Sequence, residues 1–471
     1  MFKNIAQKTT MNSNTNTMKY KNSVKINEEE VISKISVKPS SLLVKSSEGR
    51  NSLFTELFEN KYIVSVYRIC LAFFVSGCIS SLVHDYSHDK KILLGYNLVS
   101  KALKNMHLMV IIWLLVFFIS LIPYYGAKYW AKIRHTLKRK SLEVHFWDGI
   151  SLLFYITHSF GMLYCGFTLL LKCDLGFIAG ISAGAETVRL MMKGYSFVRF
   201  CVTRLLDQPE KYSEHRNLTH YIYFLVAPTM LYKDSYSRST NPIKWEKVAV
   251  YFLEFVAIIF LLSITFERVF IAELQYYGLK HMSVVDILFI ITNNALYGLV
   301  FMLALHYLVL HLWLNAFAEM LSFSDRLFYK DWWSATTHQR YYRDWNLVMN
   351  EWLYTYIYTD FVERFLPKRK MMPKLAVFLV SSFFHDYVIS LAIGFFMPVY
   401  IIDMVVFGVI LSEIKFPNNI VSNVLLLYTI GLKASIQLTV CSLEYYCRLN
   451  RAKNNLSLRD FFVPKFVECY K

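Results

Sequence analysis

LAVFLVSSFFHDYVISLAIGFFM, residues 375–397, is long and apolar enough to cross a bilayer as a helix. Its centre is not apolar: SSFFHDYVIS, residues 381–390, sets His385 and Asp386 one helical turn after two serines. An aspartate at membrane depth costs roughly 2.5–3.5 kcal/mol on insertion scales, and such groups tend to be functional. The stretch therefore predicts both a polytopic membrane protein and a polar site inside it.

Composition agrees. Of 471 residues, 55% are hydrophobic, 17% aromatic and only 18% charged, with a mean hydropathy of +0.34. Soluble domains seldom look like this. The formal net charge of +17 fits basic loops lying against anionic lipid. Nucleic-acid binding is set aside, because Lys and Arg flank the apolar runs and form no separate basic domain. An all-α chain is expected, with about nine spans at 62–83, 108–125, 148–172, 175–192, 248–266, 284–312, 375–397, 399–413 and 421–445. In the fourth, Glu186 and Arg189 are three apart on one helix face, where they can pair.

The loop after span two reads KYWAKIRHTLKRK, with Lys128, Lys132, Arg134, Lys138, Arg139 and Lys140 and no acid. The positive-inside rule places it in the cytosol. The N-terminus is then cytosolic, and nine crossings put the C-terminus in the lumen. Residues 1–49 are polar, carry no signal-peptide pattern and have too little apolar content to fold alone, which predicts a disordered cytosolic leader. Eight cysteines are present. Cys70, Cys78, Cys165 and Cys441 lie in spans as small hydrophobes. Cys447 and Cys469 bracket the polar tail, and a lumenal tail would pair them as a disulfide.

Two motifs are set aside. GISAG, residues 180–184, matches the G-x-S-x-G pattern, but a nucleophilic Ser182 needs a strand–turn–helix elbow. In an apolar span, small residues serve close helix packing instead. HDYSHD, residues 84–89, has metal-like spacing but follows span one directly, so it reads as an interfacial polar cluster. No C-x-x-C pair, H-E-x-x-H or Walker loop occurs, and no metal site is expected.

Residues 312–361 interleave aromatics, basic residues and amides. An interfacial belt explains many of the aromatics. It does not explain Asp331 between Lys330 and Trp332, or Asn346 after Trp345. Cations for phosphates and flat rings for an adenine would suit a nucleotide-bearing substrate.

FYKDWW, residues 328–333, resembles the signature hexapeptide of the sterol and diacylglycerol O-acyltransferase branch of the membrane-bound O-acyltransferases (MBOATs). LNAFAEMLSFSDRLFYKDWW, YYRDWN, EWLYTYIYTDF and AVFLVSSFFHDY follow the sterol-enzyme pattern in order. RNSLFTELFE at 50–59, MKGYSFVR at 192–199 and LVAPTMLYKDSYSR at 225–238 extend it. The resemblance implies an MBOAT fold enclosing an intramembrane reaction chamber. It divides the chain into the leader 1–49, an acyltransferase domain 50–446 and a lumenal tail 447–471. It also implies a multi-pass endoplasmic-reticulum protein, a homodimer or tetramer, that moves a long acyl chain from acyl-CoA to a sterol 3β-hydroxyl. Acyl-CoA is then a co-substrate and no cofactor is needed.

Residue by residue, the resemblance makes His385 and Asn346 the central pair. Contacts to acyl-CoA fall on Tyr342, Arg343, Tyr358, Lys370 and Ser381. Trp332, Trp333 and Trp345 match aromatic positions lining the chamber. Two positions depart from the pattern: Ser334 replaces an Asn, and Asn350, beside the acceptor, replaces a His. An amide hydrogen-bonds but does not accept a proton at neutral pH. The acceptor's identity therefore stays open between a sterol and another lipid alcohol such as diacylglycerol.

The chemistry follows from the residues. A neutral imidazole among apolar groups can take the hydroxyl proton as the alcohol attacks the thioester. No activated Ser or Cys supports an acyl-enzyme, so transfer is direct. Asn346 would stabilise the developing oxyanion or orient the acceptor hydroxyl. Ser381 shares a helix face with His385, to meet the thioester end or the imidazole. Asp386 is about 100° further round, which argues against a Ser-His-Asp relay. A transporter is the reading from another class, with Asn293, Asn294, His306 and His311 lining a path, but no internal repeat supports it.

Overall fold

The computed structural model describes residues 50–470 apart from 91–93, 138–140, 208–216, 366–370, 415–417 and 452–457. Its elements are helices, joined by turns with isolated β-bridges. Polar residues start them. Asn60 accepts the Tyr62 N–H at the head of Lys61–Asp89. Asn418 accepts those of Ile420 and Val421 at the head of Asn419–Asn450. Each satisfies a donor that the first helical turn leaves orphaned. Phe73, Phe118, Phe160 and Leu253 keep most of their surface, as side chains facing lipid do.

Among the described residues, seven helices are long and apolar enough to span: Lys61–Ser87, Tyr96–Thr136, Leu142–Lys172, Trp245–Leu274, Ala295–Met320, Met371–Ile393 and Asn419–Asn450. The expected nine differ from these in three places. The stretch at 175–192 belongs to Phe177–Asp207, whose Glu186, Arg189 and Lys193 break the apolar run. The stretch at 284–312 divides at Asn294 into Val284–Asn293 and a following helix. The stretch at 399–413 forms a π-helix, Ile401–Gly408, and a single further turn.

Small residues let the helices meet. A Cβ on Gly180 would sit 2.9 Å from the Ala392 Cα, and one on Gly184 would be 3.5 Å from Val388. GISAG therefore seats Phe177–Asp207 against Met371–Ile393, the helix that carries His385, and the Ser182 hydroxyl donates to the Ile178 carbonyl at 2.8 Å. A Cβ on Gly298 would lie 2.3 Å from the Gly431 carbonyl oxygen, so Ala295–His306 and Asn419–Asn450 cross backbone to backbone.

The two upstream motifs lock together around the same long helix. Fully buried Lys193 donates to the carbonyls of Phe224, Leu225 and Ala227 at 2.6, 3.0 and 2.6 Å. On MKGYSFVR, the Met192 carbonyl, the Ser196 hydroxyl and the Arg199 guanidinium meet Trp352, Tyr356 and Asp360. Those partners recur every four residues, which is one helix face. Glu186 and Arg189 pair at 2.6 Å.

HDYSHD is a polar clasp: Asp85 accepts the Leu94 N–H at 2.7 Å and pairs with Arg268, which also meets His84. No group of three His, Cys, Asp or Glu suited to a metal occurs among the described residues. At the C-terminus Cys447 is bonded to Cys469, and buried Glu444 accepts the N–H groups of Lys465 and Phe466.

Candidate active site

His385 sits halfway along Met371–Ile393. Its side chain keeps open surface. Its Nδ1 lies 2.7 Å from the Ser381 carbonyl oxygen. A carbonyl can only accept, so Nδ1 carries the hydrogen and Nε2 presents a lone pair. Ser381 thus meets the imidazole through its backbone. The Tyr400 ring stacks on the imidazole at 5.1 Å and 25°.

Asp386 is buried and turned away from His385. Its two oxygens accept the N–H groups of Tyr400 at 2.9 Å and Ile401 at 2.8 Å. It thereby caps the π-helix Ile401–Gly408 and fixes the residue that packs on the imidazole. π-helical turns are uncommon and gather at functional sites. Tyr307–Trp313 and Tyr354–Tyr358 are two more in this chain.

Asn346 stands between the helices His338–Trp345 and Leu347–Leu353. Its Oδ1 accepts the Met349 N–H at 3.1 Å. The cap commits the amide oxygen and leaves the Nδ2 hydrogens to meet another acceptor. Val348, Met349, Trp352 and Leu353 of the second helix share one apolar cluster with Val380, Phe384 and Val388 of the His385 helix. Asn350 follows one turn later on the face of Asn346, half-buried.

The hexapeptide frames this asparagine. Lys330 donates its N–H to the Asp344 carbonyl at 2.9 Å, and Leu347 donates its N–H to the Phe328 carbonyl at 2.8 Å, one bond on each side of Asn346. Asp331 pairs with Arg340, and Arg340 and Arg343 both reach Asp344. The departing Ser334 donates to the Asp331 carbonyl at 2.8 Å, so it serves the turn. Trp332 has no accessible surface. It donates to His306 Nε2 at 3.0 Å and packs on Trp345 at 4.6 Å. Trp332 was expected to line the chamber; in the fold it is wholly enclosed by its neighbours. Trp333 and Trp345 keep some surface, and Trp333 stacks on Phe54 at 5.2 Å.

The expected acyl-CoA contacts are spread out. Tyr342 packs edge-on to Phe378 at 5.1 Å, two turns before His385 on the same helix face. Arg343 is exposed beside Asp344, which raises its affinity for its proton. Tyr358 stacks on Tyr354 at 5.4 Å. Lys370 lies outside the described residues. Sequence reasoning missed Tyr400, Asp403, Lys433 and Gln437. The signal for two of them was present, since Asp403 and Lys433 are lone opposite charges within apolar runs.

The membrane-bound O-acyltransferase family model matches residues 92–424. Sterol O-acyltransferase 1 of Mus musculus is 31% identical over 430 residues, covering 89% of this chain and 78% of the relative. Sterol O-acyltransferase 1 of Cricetulus griseus is 32% identical over 434 residues with the same coverage. Sterol O-acyltransferase 2 of Homo sapiens is 28% identical over 425 residues, covering 89% and 80%. The chain belongs to the membrane-bound O-acyltransferase family. Within it, the chain is an acyl-CoA-dependent O-acyltransferase.

Proposed function

We propose that this enzyme is a sterol O-acyltransferase of the endoplasmic-reticulum membrane, transferring a long acyl chain from acyl-CoA to a sterol 3β-hydroxyl. The observation that supports the mechanism is the tautomer of His385: the Ser381 carbonyl holds Nδ1–H, which leaves the Nε2 lone pair available to serve as a base. The acceptor oxygen attacks the thioester carbon while its proton passes to Nε2. The tetrahedral oxyanion takes a hydrogen bond from Asn346 Nδ2. As the C–S bond breaks, the imidazolium returns the proton to the departing thiolate, giving free CoA and the ester with no acyl-enzyme. The thioester approaches from the cytosolic side past Tyr342, Arg343 and Tyr358, and the sterol enters from the bilayer. Names of the relatives favour a sterol over other lipid alcohols. The basic loop after the second span supports a cytosolic N-terminus and a lumenal C-terminal tail, and a homo-oligomer is expected.

Membranes containing the protein would be given labelled oleoyl-CoA with cholesterol, diacylglycerol or a fatty alcohol, and the neutral lipids resolved. Labelled steryl ester is expected, and its loss in His385→Ala. Triacylglycerol without steryl ester would move the acceptor to diacylglycerol. Equal ester from His385→Ala would remove the base.

A further inference from the structure

Two opposite charges take no part in that chemistry, Lys433 on Asn419–Asn450 and Asp403 on the π-helix Ile401–Gly408. Lys433 Nζ lies 2.8 Å from Asp403 Oδ1. Gln437, one turn further on, donates to Asp403 Oδ2 at 3.2 Å. Lys433 also donates to the Tyr342 hydroxyl oxygen at 2.9 Å. A buried ion pair is weak as a stabiliser, because losing water costs about what the attraction returns. Stability alone does not account for it.

Its position suggests a use. The Tyr342 oxygen accepts from Lys433, so the phenol proton is directed at another acceptor. The ring is held by Phe378, two turns from His385 on the same face. A Cβ at Gly408 would come within 3.2 Å of the Tyr342 oxygen, so the glycine leaves that oxygen room. Asp403 lies one turn beyond Tyr400, the ring stacked on His385. The cluster thus connects the wall behind the imidazole with the path to it.

We infer that Lys433, anchored by Asp403, is a positioning residue for the acyl donor: it holds the Tyr342 hydroxyl so that its proton meets an amide carbonyl of the pantetheine arm, stopping the thioester at the depth of His385. The inference rests on the acyl-CoA reading above. It is independent of which alcohol is the acceptor.

The test uses purified full-length protein and initial rates with oleoyl-CoA and acceptor varied in turn. The double variant Lys433→Met/Asp403→Asn removes both charges and leaves Gln437 an acceptor, so no charge is stranded. Loss of one such hydrogen bond should raise KM for oleoyl-CoA roughly tenfold. The kcat and the acceptor KM should hold within about twofold. Tyr342→Phe should do the same, and the triple variant should be no worse than either, since all act through one hydroxyl. Lys433→Arg with Asp403 intact should recover part of the loss. Additive losses, an equal rise in acceptor KM, or an unchanged KM for oleoyl-CoA would overturn the inference. If the double variant does not fold, Tyr342→Phe decides, since it leaves the ion pair in place: an unshifted KM overturns the inference and a tenfold rise supports it. Wild-type protein that forms no ester from oleoyl-CoA would instead defeat the acyl-CoA reading itself.

Discussion

Asp386 seats Tyr400: its carboxylate takes the Tyr400 N–H at 2.9 Å, and the seated ring stacks on the His385 imidazole at 5.1 Å. The aspartate beside the histidine therefore works through the backbone of the next element. Asp386→Ala would strand two buried N–H donors and free that turn. The expected result is a fall in kcat of roughly ten- to a hundredfold, the size of loss that misplaced groups cause. Tyr400→Ala should lose more than Tyr400→Phe, which keeps the stacked ring. Initial rates at saturating oleoyl-CoA measure both, and a kcat untouched in Asp386→Ala would refute the linkage.

Asn346 has two functions that can be separated. Its oxygen caps Leu347–Leu353, and in the proposed mechanism its Nδ2 hydrogens meet the oxyanion. Asn346→Asp keeps an oxygen for the Met349 N–H but loses the donor. Activity should fall roughly 10²–10³-fold, as for removal of one oxyanion donor, while thermal stability holds. Asn346→Ala should lose the cap as well, about 1 kcal/mol of stability. Rates and melting measured on the same preparations distinguish the two. If Asn346→Asp kept full activity, the donor role would be wrong.

GISAG separates a packing motif from a nucleophile. Gly180 approaches Ala392 too closely for a side chain, so Gly180→Val must push Phe177–Asp207 off the His385 helix. Loss of both folded yield and ester formation is expected. Ser182 spends its hydroxyl on the Ile178 carbonyl of its own helix, so Ser182→Ala should retain activity within about twofold, as surface-like polar changes do. Inactive but well-folded Ser182→Ala would revive an acyl-enzyme.

The residues that were legible from sequence are those whose chemistry conflicts with their surroundings. His385 in an apolar helix and Asn346 in an aromatic loop both announce themselves in this way, and so does the Glu186–Arg189 pair at helical spacing. The framing role of the hexapeptide was hidden, because it lies in backbone bonds from Lys330 and Phe328 that no side-chain pattern encodes. Trp332 shows the same limit. Its type suggests a chamber wall, and only the fold shows that His306 and Trp345 cover it. Lys433 and Asp403 were each readable as costly charges, but their pairing depends on the register between two helices. The expected spans and the long helices differ for a similar reason: hydropathy registers apolar length and not the π-helical winding of Ile401–Gly408 or the turn at Asn294.

His338 gives the loop an acid sensitivity that can be measured. Its Nε2 lies 2.9 Å from the Thr429 hydroxyl, whose own proton goes to the Leu426 carbonyl, so the imidazole is the donor. Burial, and then the Lys433 ammonium, push its pKa down from 6.5 to about 4. The unfolded chain therefore binds a proton at this residue between about pH 6.5 and 4 that the folded chain refuses. The stabilisation is fully present above pH 6.5 and is lost as pH falls through that window. His338→Gln keeps an N–H for Thr429 and cannot titrate. Its melting temperature should drop less than that of the wild type between pH 7 and pH 5. Parallel curves for the two proteins would show that the imidazole is not refusing its proton.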